Sequence, residues 1–288
     1  MKKNNSFTIR KLTLLIPGIV VAILTLQSCQ EDETTELTRD EEIAITENAT
    51  FSEDVSDEDI ELANSAEIEV GIQESASRES SSEKCYATTW DAATRILTID
   101  FGEGCVGPYG RQRRGKIIVS YGEEGNYYVA DRTITFDNYF VNGNQITGEL
   151  YVEKAVINEE GFYENNYTVN YTILFNGGTT FTLNGSRKRE WIAGVLDDNF
   201  ANNVFRITGS LTGISTRGIS WSHQIVEPII ADFNCRSEGN FLYTQGIKEI
   251  SYSNSRRKRT RTVDYGDGIC DRSYTIAINN DLITITAE

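Results

Sequence analysis

The sequence predicts an all-β body of antiparallel sheets, either a sandwich or a strongly curved meander. Two observations carry that prediction: apolar residues recur with period two from Tyr86 onward, and hairpin-turn sequences separate the alternating runs. Ile146, Gly148, Leu150 and Val152 share one phase, with Thr147, Glu149, Tyr151 and Glu153 in the other. Tyr167, Val169, Tyr171 and Ile173 alternate in the same way with Thr168, Asn170 and Thr172, and Phe205, Ile207 and Leu211 with Arg206, Thr208 and Ser210. Asn142-Gly143-Asn144, Asn176-Gly177-Gly178, Asn184-Gly185 and Asn279-Asn280-Asp281 supply residues that tolerate the positive φ of tight hairpins. A sheet with one solvated face accounts for the many Thr, Asn and Tyr residues.

The chain before this body has two parts. Residues 1–28 carry Lys2, Lys3, Arg10 and Lys11, no acid, and an apolar run of 15 residues from Leu12 to Leu26. That run is shorter than the roughly 20 residues a spanning helix needs, so it reads as a signal peptide. It ends in Leu26-Gln27-Ser28-Cys29, which resembles the lipobox at which a bacterial lipoprotein signal peptide is cut before an acylated cysteine. The expectation is a membrane partner reached through acyl chains on Cys29, since more than one chain gives stable anchoring. Gln30-Glu31-Asp32-Glu33 is similar to the acid-rich export signal of Bacteroidota lipoproteins, which implies an outer-membrane, cell-surface location.

Residues 29–84 hold 19 acids against three bases, whereas residues 85–288 hold 24 acids against 20 bases. The formal net charge of −16 therefore belongs to one segment, and the body is nearly neutral. High charge of one sign with little apolar surface predicts a disordered tether over 29–84, about 40 Å from end to end. Within it, Ser56-Asp57-Glu58-Asp59 could cap a short helix over residues 57–70. No broadly basic face is available for phosphate neutralisation, so nucleic acid is excluded as a partner.

Four cysteines remain in the body: Cys85, Cys105, Cys235 and Cys270. An even number in an exported chain argues for two disulfides, with three connectivities open. An internal repeat favours one of them. Residues 98–105, ending Phe101-Gly102-Glu103-Gly104-Cys105, match residues 262–270, ending Tyr265-Gly266-Asp267-Gly268-Ile269-Cys270, with one inserted residue. Related hairpin units around 85–121 and 235–279 would then each be closed by their own bridge, Cys85–Cys105 and Cys235–Cys270.

The segments Phe136–Asn142, Gly185–Trp191, Phe205–Ser210, Asn234-Cys235 and Arg259–Asp271 resemble a flavobacterial-type family of Bacteroidota surface lipoproteins. The resemblance implies a secreted β-rich body on an acylated tether; it brings no catalytic residues with it.

Candidate chemistry is sparse. His223 is the only histidine and lies in phase with Ile219, Trp221 and Ile225, which marks a core position. Residues 213–218 lack the second glycine of a nucleophile elbow, because Arg217 stands in its place. The acid pairs Glu123-Glu124, Glu159-Glu160 and Asp197-Asp198 fall in loops, and Asp264, Asp267 and Asp271 do not follow a calcium-loop pattern. No metal or cofactor is called for. Two basic runs flank the repeated turn: Arg111, Arg113 and Arg114 after its first copy, and Arg256, Arg257 and Arg259 before its second. They read as solvated edge protection, as an anion-binding patch for lipopolysaccharide phosphate or acidic glycan, or as a magnet for the acidic tether. The expected function is a non-enzymatic binding or structural protein of the envelope, using tyrosine-rich strands such as Tyr163–Tyr171 to stack on glycan. A carrier enclosing an apolar ligand in a curved sheet is the alternative, and a carboxylate-based hydrolase is less favoured.

Overall fold

A computed structural model describes residues 37–71, 85–122, 130–195, 199–253, 260–278 and 281–286. The expected signal peptide, Cys29 and the rest of the expected tether outside 37–71 lie outside the described residues. The chain opens with α1 (Arg39–Glu69), followed by β1 (Ala87–Asp91), β2 (Ile96–Asp100), β3 (Cys105–Val106), β4 (Gln112–Tyr121), β5 (Arg132–Val141), β6 (Asn144–Val152), β7 (Val156–Ile157) and β8 (Tyr163–Leu174). It continues through β9 (Thr180–Ala193), β10 (Val204–Ile214), β11 (Ser220–Asp232), α2 (Phe233–Ser237), β12 (Tyr243–Tyr252), β13 (Thr260–Asp267), β14 (Ser273–Ile278) and β15 (Asp281–Thr286). All fifteen strands join one antiparallel sheet in near-sequential order, with β3 and β7 as side pairings on β4 and β8. The all-β expectation holds, and the meander is the form it takes.

The sheet curls tightly because interior glycines let neighbouring backbones close up. On β9 and β10, a Cβ at Gly185 (φ +148°) would stand 2.5 Å from the Ser210 carbonyl oxygen, and one at Gly209 (φ +125°) 2.6 Å from that of Ser186. Only glycine satisfies both the dihedral and the approach.

What the sheet curls around corrects the tether. Residues 39–69 form a single helix of 31 residues, starting eighteen residues before the short helix expected at 57. The start is set by a capping box: Thr38 Oγ1 accepts from the Glu41 N–H at 3.3 Å, and Glu41 Oε2 accepts from the Thr38 N–H at 2.9 Å. Asp40, Glu41 and Glu42 then sit in the first turn, where the helix dipole favours negative charge. Every residue from Ser52 to Asn64 is buried. More than three consecutive turns without an exposed face means the helix is enclosed on all sides.

The enclosure is completed by α2 and a 3-10 turn at Pro108–Gly110, where Tyr109 packs edge-on against Phe233 with ring centroids 5.4 Å apart. Both disulfides brace this region. Cys85 pairs with Cys105 and Cys235 with Cys270, at Cα separations of 5.7 and 5.2 Å. The repeat is structural as well as sequential: Asp100 Oδ1 accepts from the Gly102 N–H and Asp264 Oδ1 from the Gly266 N–H, each at 2.8 Å.

The helix contributes Ile45, Ala49, Val55, Ile60, Leu62, Ala63 and Ala66 to the core, but also eight buried carboxylates. Glu58 joins the two sides of the enclosure, accepting from Arg111 Nε (2.8 Å), Arg113 Nη2 (2.5 Å) and Arg236 Nε on α2 (2.7 Å). Removing one partner of a buried ion pair leaves the others charged and desolvated. Glu58→Ala should therefore lower unfolding free energy by roughly 3–5 kcal/mol or prevent folding. Exposed Glu103→Ala should change it by no more than about 0.5 kcal/mol; urea unfolding of the two variants checks this.

Candidate functional site

Two sites emerge from this fold, a charged interior and a trough on the outside. The interior is built by strands whose inward phase carries bases among apolar residues. On β9 the inward positions run Phe181, Leu183, Gly185, Arg187, Arg189 and Trp191; on β12 they include Lys248, Ile250 and Tyr252. These cations meet the acids of α1. Glu42 takes Arg261 in a bidentate pair at 2.5 and 2.7 Å. Glu53 takes Arg187 (3.0 Å) and Lys248 (3.0 and 3.1 Å), and Asp57 takes Arg187 at 3.3 Å. Glu61 pairs with Arg189, Glu67 with Arg132 at 3.7 Å, and Asp54 with Arg111 at 3.4 Å. Tyrosines complete the shell: Tyr167 and Tyr243 donate to Asp57 at 2.7 and 2.6 Å, and Tyr139 and Tyr171 to Asp59 at 2.7 and 3.0 Å.

Two expectations are corrected here. Arg111 and Arg113 form no surface anion patch, because both are buried on the acids of α1; of that run only Arg114 is exposed, its guanidinium 3.4 Å from the Phe140 ring centroid. Tyr167 and Tyr171 present no stacking platform to glycan, because their hydroxyls are bonded to the helix. Arg256, Arg257 and Arg259, the pairs Glu123-Glu124 and Asp197-Asp198, and Cys29 lie outside the described residues. Glu159 and Glu160 are exposed, and Glu160 accepts from Arg206 at 2.7 Å. His223 is a core residue, stacked on Trp221 with its Nε2 3.2 Å from Glu53 Oε1.

Burial and pairing split the interior carboxylates into two groups. Burial would raise Glu58, but Arg111, Arg236 and Arg113 outweigh it and hold it at about 2. Glu53 is likewise held well below the carboxylate range, burial being overcome by His223, Lys248 and Arg187. Asp54 and Asp59 go the other way, raised by burial to about 7 against the partial opposition of Arg111 and Arg113 respectively. Burial pulls the His223 imidazole below its ordinary value, against the opposing attraction of Glu53.

The sign of the pH dependence follows by linkage. Asp54 and Asp59 bind protons more tightly folded than unfolded, so their contribution is full below about pH 4 and is lost as pH rises through about 7. Glu53 and Glu58 contribute above about pH 4.5, and that contribution is lost on acidification, for Glu58 through about 2. The thermal midpoint should rise from pH 8 to pH 5 and fall again below pH 4. Asp54→Asn with Asp59→Asn should flatten the first limb; differential scanning calorimetry across this range checks both.

The second site lies on the outer face of β9–β12, in the phase opposite to buried Leu183, Leu211, His223 and Ile250. It is a trough of about 730 Å³. Asn184, Thr212, Ser222 and Ser251 stand directly opposite one another in register and form a row across the four strands. Thr182, Ser220 and Ser253 extend the lining toward the strand ends, Gly213 interrupts it, and Ile214, Trp221 and Tyr252 add apolar and aromatic surface. On the inner side, Phe181 stacks on Trp221 with centroids 5.2 Å apart. Among the described residues no Asp, Glu, Lys, Arg or His lines the trough. Its chemistry is that of hydroxyl and amide donors and acceptors spaced at the roughly 4.8 Å strand repeat beside apolar and aromatic side chains.

Comparison with protein-family models, with curated proteins and with solved structures finds no match.

Proposed function

We propose that the protein is a non-enzymatic envelope lipoprotein, anchored through acylated Cys29 at the outer membrane, that binds a neutral glycan in the outer trough. The observation that carries the binding reading is the uncharged row Asn184, Thr212, Ser222 and Ser251 beside Thr182 and Ser220. Paired hydroxyl and amide groups match the hydroxyls of a sugar, and the trough's volume falls in the range of small-ligand sites. Acid–base catalysis finds little support in the same lining, while the carboxylates, His223 and Lys248 that could perform it are enclosed with α1. The carrier alternative loses its main support, since α1 fills the space a carried ligand would take.

The anchoring part rests on the signal sequence and the lipobox-like Leu26–Cys29. A glycan array probed with the full chain in detergent should return uncharged oligosaccharides. Thr212→Val with Ser222→Ala should weaken that binding roughly tenfold, at about 1 kcal/mol or less per hydrogen bond lost, with unfolding unchanged. Array binding confined to phosphorylated glycans, or indifference to the double variant, would sink the reading.

A further inference from the structure

The expected tether puts 55 residues, 30–84, between Cys29 and the body; with α1 inside the fold only seven remain. Leu37 already belongs to the body, packing against its core, and the helix begins two residues later. Only residues 30–36 separate it from Cys29. Eight peptide steps reach at most about 28 Å, whatever their conformation.

The place where the chain enters the body is defined by ion pairs. Arg39 meets Asp281 at the start of β15 at 3.3 Å, and Arg217 on the β10–β11 connection meets Glu41 at 2.5 Å. Glu42 meets Arg261 at the start of β13. At this pole Ile214 and Leu282 are 49% and 69% exposed, and the side chains of Arg39 and Arg217 are 52% and 61% exposed. The opposite pole is marked by Glu67 with Tyr121 and Arg132, 26 residues further along α1. At 1.5 Å per residue that is about 39 Å away.

Resting on the acylated-Cys29 reading above, we infer that the α1 N-terminal pole lies against the lipid bilayer, with Leu282 among the headgroups, Arg39 and Arg217 at the level of the lipid phosphates, and Ile214, which edges the outer trough, turning the mouth of that trough toward the membrane surface. The occupant is a lipid surface because the acyl chains are themselves in the bilayer and the link is too short to lift this pole far from it. Exposed apolar side chains interleaved with arginines are what the headgroup region accommodates. A free stalk would leave the body to tumble; a link of seven residues holds one end down and turns the Glu67 end outward.

The test uses the full acylated chain in vesicles of phosphatidylethanolamine and phosphatidylglycerol containing headgroup spin-labelled lipid. Ile214→Cys, Leu282→Cys and the comparably exposed Ile157→Cys are each labelled with a fluorophore; the four body cysteines are in disulfides and do not compete. Quenching should be several-fold stronger at 214 and 282 than at 157. Inserting 25 Gly/Ser residues between residues 36 and 37 should erase the difference. Equal quenching in the uninserted chain, with the acyl mass present on Cys29, overturns the orientation alone. Absence of the acyl mass overturns the anchoring and the orientation together.

Discussion

The meeting of an acidic helix with a cationic sheet interior governs the rest of this structure. Eight carboxylates of α1 are buried, and among the described residues eight side-chain cations face them: Arg111, Arg113, Arg132, Arg187, Arg189, Arg236, Lys248 and Arg261. Each charge taken from water alone costs several kcal/mol, and only dense complementary pairing offsets it. Tyr139, Tyr167, Tyr171 and Tyr243 donate hydroxyls to the remaining carboxylate lone pairs, so that Asp57 and Asp59 are held by hydrogen bonds as much as by charge. Such an interior admits one register of helix against sheet, because a slide of one turn would set acids against apolar side chains. The partners are also remote in sequence, from 53 residues apart for Glu58 and Arg111 to 219 for Glu42 and Arg261. The helix can therefore find its ion pairs only as the sheet wraps around it, and the two disulfides brace the region where the wrap closes.

Charge is thereby distributed in the reverse of the usual order. Acids and bases in quantity are inside, and the trough on the outer face of β9–β12 is lined by hydroxyl, amide and apolar side chains, with Lys188, Arg206 and Glu249 further along the same face. An interior full of ionisable groups invites a catalytic reading, but their positions serve enclosure: Glu58 is shared by three arginines and Glu53 by Arg187 and Lys248. The formal net charge of −16 therefore says little about the surface a partner meets, since much of the acidic segment is neutralised within the fold.

Some of this was legible from residues alone. Period-two alternation and Asn-Gly turns specified antiparallel strands, the repeat pointed to the two disulfides that form, and the phase of His223 with Trp221 and Ile225 marked it as a core residue. The capping box Thr38–Glu41 stands in the sequence as a helix-start signal, but it lies in a segment whose composition by itself predicts disorder. So were the bases in apolar phase: Arg187 and Arg189 share their strand face with Leu183 and Trp191, and Lys248 with Ile250. A base that keeps step with core residues needs a buried acid, and residues 39–69 held the unclaimed ones. The sequence by itself determined the strands, their turns and the cysteine pairs, because these follow from local periodicity and local repeats. Only the tertiary structure decided that the acidic segment is the centre of the molecule. Composition rules weigh a segment against water, whereas α1 is stabilised by cations contributed from strands up to 219 residues away, which no local window can see.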